Sequence, residues 1–176
     1  MNLNVYGLDS SNNEILLYKN PSLKIAINTG LSVVSKINYY DENHNQVGFG
    51  PNPPKIGQET KYRVDFNINN KYNSLSDVIL TTKLSSNARY SYEYNTSNGF
   101  DLLYDEASNS IRWDIKSIGK DDSISGSFYV YVVPQAGSAG KVIQPIDNVN
   151  IRYNDIDLGR EFVKDLGPVT GDKITQ

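Results

Sequence analysis

The side chains able to do chemistry are few and scattered. His44 is the only histidine, and it stands in "DENHN", a run with the composition of a turn. A Ser-His-Asp arrangement would need His44 as its base, and no nucleophile elbow is present to meet it. One histidine and no cysteine exclude His-cluster and thiolate metal sites, a cysteine nucleophile and a disulfide framework. Oxygen ligands are the metal chemistry that remains. "NDIDLG" sets Asn154, Asp155 and Asp157 in one turn with Glu161 just beyond, so Asp155, Asp157 and Glu161 are the candidate Ca²⁺ ligands. Their spacing is not that of an EF-hand, and Asp and Asn are ordinary turn residues, so no cofactor is expected. "DLLYDEAS", with Asp101, Asp105 and Glu106, and "GKDDS", with Asp121 and Asp122, are carboxylate pairs without the cleft and defined separation that glycoside hydrolysis needs.

Three other features carry chemistry of a different kind. A Lys–Asn isopeptide cross-link would need a buried lysine beside an acid, and Lys61 and Lys83 are the candidates, on strands whose alternation points them outward or leaves them ambiguous. "PQAGSAGK" ends without the Ser or Thr of a phosphate-binding loop and reads as a connection between strands. "YSYEYNTSNGF" holds Tyr90, Tyr92, Tyr94 and Phe100 around the Asn95-Thr96-Ser97 sequon. Those four aromatics are the candidate partner-binding residues, because rings beside polar loops grip sugars and proteins; packing in a core is the competing reading.

The elements that must position these residues follow from period-two alternation. Tyr62, Val64, Phe66 and Ile68 alternate with Lys61, Arg63, Asp65 and Asn67 after the breakers Pro53, Pro54 and Gly57. The same period puts Leu23, Ile25 and Ile27 on one face, and Val78, Leu80 and Thr82, or Ile79 with the register reversed, on another. It recurs through Tyr90, Tyr92 and Tyr94, through Ile111, Trp113 and Ile115, and through Ile124, Phe128, Val130 and Val132, where Gly126 reads as a bulge. "VSKINYYDENHNQVGFG" and "NVNIRYNDIDLGREFV" read as hairpins, the second turning near Asp157 to Gly159. No window carries helical spacing with caps, and turn residues recur at about 8–12 residues. The fold class is therefore all-β, an antiparallel Ig-like β-sandwich. Thirteen tyrosines suit it, since each buries a ring and keeps a wet edge. Net charge is −3 with lysine and arginine dispersed, so neither nucleic acid nor membrane insertion is expected.

The two ends of the chain echo each other. Asn2 and Asn4 align with Asn148 and Asn150, Val5 with Ile151, and Asp9 with Asp155. With one extra residue in the second turn, Glu14 aligns with Glu161, and Ile15 and Leu16 with Phe162 and Val163. The period is about 147 residues, a domain's length. Residues 1–21 are then the closing hairpin of a preceding repeat, or else the first hairpin of a single domain. Residues 22–172 form the sandwich and 173–176 a tail. Met1 precedes polar "NLNVYGLDSSNNE" and not a signal peptide, so the chain reads as cytosolic or as an excerpt of a longer one.

"GPNPPKIGQETKYRVDFNINNKYNSLSDVILTTKL" and "YDEASNSIRWDIKSIGKDDSISGSFYVYVVP" carry a resemblance. They resemble the Ig-like tandem repeat domain of S-layer-type bacterial and archaeal cell-surface proteins. With "YYDENHNQVGFGPNPPK" ahead of them, they are most similar to the version in large surface proteins of candidate-phylum bacteria. The matching residues are Gly57, Tyr62, Asn69 or Asn70, and Tyr104 to Pro134; the family's Leu-Pro is replaced by "LSSN" at Leu84 to Asn87. The resemblance implies a non-enzymatic extracellular module, a spacer or packing unit whose partners are neighbouring copies or domains of the same surface protein. The alternative is an adhesive module that binds a glycan or a host or cell-surface protein through its end loops.

Overall fold

The computed structural model describes residues 7–14 and 29–175 in full and the backbone alone of residues 3–6 and 15–20. Eleven strands make up the regular structure: β1 (Leu3–Leu8), β2 (Glu14–Asn20), β3 (Ser32–Asn38), β4 (Thr60–Asn69), β5 (Leu75–Leu84), β6 (Ala88–Thr96), β7 (Leu102–Asp105), β8 (Ser110–Ile118), β9 (Ser123–Val132), β10 (Ile146–Asp155) and β11 (Arg160–Val169). One sheet runs β3-β4-β9-β6 and a second β11-β10-β5-β8-β7, both antiparallel; β1 and β2 pair with each other as a separate hairpin. The chain crosses between the two large sheets from β4 to β5, β5 to β6, β6 to β7, β8 to β9 and β9 to β10. Each crossing turns an alternating strand so that its apolar side faces the opposite sheet, which is what an antiparallel sandwich requires. The expected all-β sandwich is the fold observed.

Alternation places most of the core as expected. Tyr62, Val64, Phe66 and Ile68 are buried from β4, Val78, Leu80 and Thr82 from β5, and Ile111, Trp113 and Ile115 from β8. Phe128, Val130 and Val132 follow from β9, and Val149, Ile151 and Tyr153 from β10. The β4–β9 ladder is the longest unbroken one, ten pairs from Thr60↔Val132 to Asn69↔Ser123 without a register shift. Gly126 therefore stands opposite Phe66 in regular pairing and is not the bulge expected of it. Its role is room: a Cβ there would come within 2.8 Å of the Trp113 ring. The irregularity falls on the neighbouring strand, where β6 shifts register against β9 between Tyr90 and Tyr94.

Side-chain amides close the ends of the strands. Asn70 is buried after β4, and its Nδ2 donates to the Asn73 carbonyl at 2.6 Å and to the Gly119 carbonyl at 2.7 Å. This ties the turn after one sheet to the turn after the other. Asn109, in a left-handed conformation, donates to the Ser85 carbonyl at 3.1 Å, and the Leu84 amide donates to the Asn109 carbonyl at 2.9 Å. The "LSSN" departure is absorbed there. Gly57 has the positive φ of its turn, and its amide donates to the Pro134 carbonyl at 2.9 Å. Residues 173–175 pack onto the domain: Ile174 is buried, and the Thr175 amide donates to the Pro54 carbonyl at 2.8 Å. The expected face of Leu23, Ile25 and Ile27 lies outside the described residues.

Candidate functional site

The expected partner-binding aromatics divide. Tyr90 is buried against Phe128, with ring centroids 6.0 Å apart in an edge-to-face pair. Tyr92 is 67% exposed and Tyr94 and Phe100 are also exposed, so the two-residue alternation does not continue past Tyr90. The cause is local: Tyr92 has a φ of 63°, and the register shift in β6 re-aims the side chains on either side of it. Tyr104, from edge strand β7, completes the cluster, edge-to-face with Tyr92 at 5.7 Å and tilted on Tyr90 at 5.3 Å. It escaped the sequence reading because β7 has only four residues, too few to show a period. Burial pushes the Tyr90 hydroxyl up to about 12, so it stays neutral at any physiological pH. The Tyr94 hydroxyl donates to Asp101 at 2.5 Å, and this bond raises its pKa. The result is a surface patch of rings with a carboxylate and hydroxyls at its edge, a composition that can stack on a flat apolar or sugar face.

The outer face of the β3-β4-β9-β6 sheet carries a second feature. A polar trough of about 490 Å³ lies between the Asp41–Asn43 turn and Asn95–Ser97, floored by Asn67, Ser125 and Ser127. Asn95, the first residue of the sequon, lies on its rim and is exposed. At the other end of this face Lys61 pairs with Glu93 at 2.6 Å and lies over the Tyr129 ring at 4.6 Å. Lys83 is exposed. Neither lysine is the buried one that an isopeptide cross-link requires.

The candidate Ca²⁺ ligands are held by protein donors. Asp155 is fully buried; its Oδ2 accepts from Thr29 Oγ1 and from Asn73 Nδ2, the latter at 2.8 Å, and its Oδ1 accepts the Leu158 amide at 3.0 Å. Burial pushes this carboxyl up, but the bonds from Thr29, Asn73 and the Leu158 and Asp157 amides outweigh it and hold the pKa below the ordinary value. Asp157 accepts the Ser74 amide at 3.2 Å, and Glu161 pairs with Arg152 at 3.3 Å. Among the described residues no group of three or more metal-ligating side chains comes together. The network instead joins the β10–β11 turn to Thr29 and to the β4–β5 loop.

His44 has a φ of 63°, and its amide donates to the Asp41 carbonyl at 3.0 Å. Asp41 Oδ1 accepts the Asn43 and Asn45 amides at 2.9 and 2.8 Å, so His44 sits in an Asp-capped turn.

No protein-family model matches the chain, and no curated protein matches it. Among solved structures, a variant of BcpA, the major pilin subunit of Bacillus cereus, superposes with a TM-score of 0.52 at 10% identity, over 98% of this chain and 48% of that one. BcpA itself gives 0.50 at 12%, over 96% and 47%. The full-length major pilin SpaD of Corynebacterium diphtheriae gives 0.50 at 10%, over 80% and 34%. The chain thus spans about half the length of the Bacillus cereus pilin. At these identities the likeness is one of fold: a β-sandwich of the kind found in pilin domains.

Proposed function

We propose that this chain is a non-enzymatic structural module of a cell-surface protein, a spacer or packing unit in the manner of an S-layer-type repeat, working outside the cell. The observation that carries the reading is the β4–β9 ladder, ten uninterrupted pairs running through the middle of one sheet and backed by the buried side chains of Tyr62, Val64, Phe66 and Ile68. A ladder that long yields only when many hydrogen bonds and their apolar backing part together, which suits a module that holds distance. The buried polar side chains support it, because Asn70 and Asp155 bind turns and loops within the module and face no cleft. The fold shared with the Bacillus cereus and Corynebacterium diphtheriae pilins is in keeping with a surface location and with partners that are neighbouring domains or copies. Single-molecule extension of a polyprotein of this chain tests it. One cooperative rupture per module, with the force lowered by Trp113→Ala, is expected; extension without a force peak would overturn it.

The second reading is adhesion, favoured by the exposed Tyr92, Tyr94 and Phe100 beside buried Tyr90. A glycan array or pull-down with the chain and with Tyr92→Ala tests it. Loss of a signal on substitution supports it, and no binding in any format rules it out.

A further inference from the structure

Over the three pairs next to its turn the β1–β2 hairpin pairs as the β10–β11 hairpin does. The alignment of Val5 with Ile151 and of Glu14 with Glu161 fixes which residues should face each other if the two hairpins are equivalent. Leu8↔Glu14, Gly7↔Ile15 and Tyr6↔Leu16 pair in the first hairpin. Asn154↔Glu161, Tyr153↔Phe162 and Arg152↔Val163, their aligned counterparts, pair in the second. Three consecutive pairs coincide, and the extra residue of the second hairpin falls inside its turn. Beyond them the hairpins part: β1 shifts register between Val5 and Tyr6, so that Val5 faces Tyr18, whereas β10 continues unshifted from Arg152 to Ile151, which faces Lys164. The turns themselves differ: Asp9 Oδ1 accepts the Ser11 amide at 2.8 Å and the Asn13 amide at 2.9 Å, the pattern of Asp41 with Asn43 and Asn45, whereas Asp155 Oδ1 accepts the Leu158 amide at 3.0 Å.

What differs is the partner on the far edge. β10 pairs on that edge with β5, Ile151 opposite Leu80 and Arg152 opposite Ile79. β1 has no partner strand other than β2 among the described residues. An edge strand with open backbone groups is a template for another strand. We propose that β1–β2 is the closing hairpin of a different copy of this module, one that lacks its own β10–β11. In that copy β1 pairs antiparallel with the β5-type strand, Val5 opposite the counterpart of Leu80 and Tyr6 opposite that of Ile79. Successive copies are then joined through a shared sheet and not by a free linker. The inference rests on the reading of the chain as a module among copies of itself. Besides the register shift, the alignment departs at Gly7, which stands where β10 has the buried ring of Tyr153.

The test is a tandem chain in which residues 21–146 are joined directly to Met1 of the full chain, so that β1–β2 follows where β10–β11 would. With Trp113→Phe in the rear copy, the remaining tryptophan reports on the front copy alone, since the chain has a single tryptophan. The expected result is buried, blue-shifted emission from the front Trp113. Hydrogen exchange of β1 amides should also slow to the level of β10 in the same molecule. A second tandem with Gly7→Tyr restores the missing ring and guards against failure by that one cavity. A third, with residues 3–8 replaced by Gly and Ser, should leave the front tryptophan exposed. Exposed emission in both of the first two tandems, or buried emission in the third, overturns the proposal. The spacer reading stands or falls separately, on the extension of the single chain.

Discussion

Trp113 and Gly126 show how closely the core is fitted at the scale of single residues. Trp113 is 2% exposed and touches the backbone of β9 where Gly126 has no side chain. Burying an indole removes about 200 Å² from water, worth roughly 5 kcal/mol of transfer energy. Trp113→Ala should cost about 3–5 kcal/mol, read as a lowered midpoint in a denaturant or thermal melt. Gly126→Ala puts a methyl 2.8 Å from the ring and should cost about 1–3 kcal/mol by overpacking, measured the same way. Asp155 sets a pH dependence. Its folded-state pKa is depressed, so the stability it contributes is present above the unfolded-state pKa of about 3.9 and is lost as pH falls through the folded value. Asp155→Asn should cost about 1–3 kcal/mol at neutral pH, because an amide NH₂ faces the donors Thr29 and Asn73. Urea midpoints against pH should show the gap between variant and parent narrowing below about pH 4.

Among the elements, strands differ in how firmly they are held. β4 and β9 are central and pair on both edges, and each carries alternate buried side chains. β7 is a four-residue edge strand with Leu103 exposed. Amide exchange should therefore be slowest at Val64 to Ile68 and fastest at Leu102 to Asp105, the latter through local fraying. Asn70 couples the turn after β4 to the turn after β8 through two carbonyls. Asn70→Ala leaves the Asn73 and Gly119 carbonyls without that donor and should cost about 1–3 kcal/mol in an equilibrium melt.

For the whole molecule, nine strands of two sheets share one core, so the sandwich should unfold as a single transition, with fluorescence and far-UV circular dichroism midpoints coinciding. The strands were legible in the sequence because one face of each is buried and the side-chain period is two; β4 and β8 read directly, while the face of β5 stayed open between Val78, Leu80 and Thr82 and the reverse register through Ile79, which the structure resolves in favour of the first. The aromatic patch was only partly legible. Tyr92 follows the same alternation as Tyr90, yet a register shift turns it outward, and that shift depends on how β6 meets β9. The turn chemistry of "NDIDLG" was visible, but its donors Thr29 and Asn73 come from distant parts of the chain. The sequence by itself determined the two-sided strands and the turns, since each depends on neighbours within a few residues. Only the tertiary structure decided which tyrosines face water, what Asp155 binds and why Gly126 is glycine, because each depends on a strand or loop brought alongside from elsewhere in the chain.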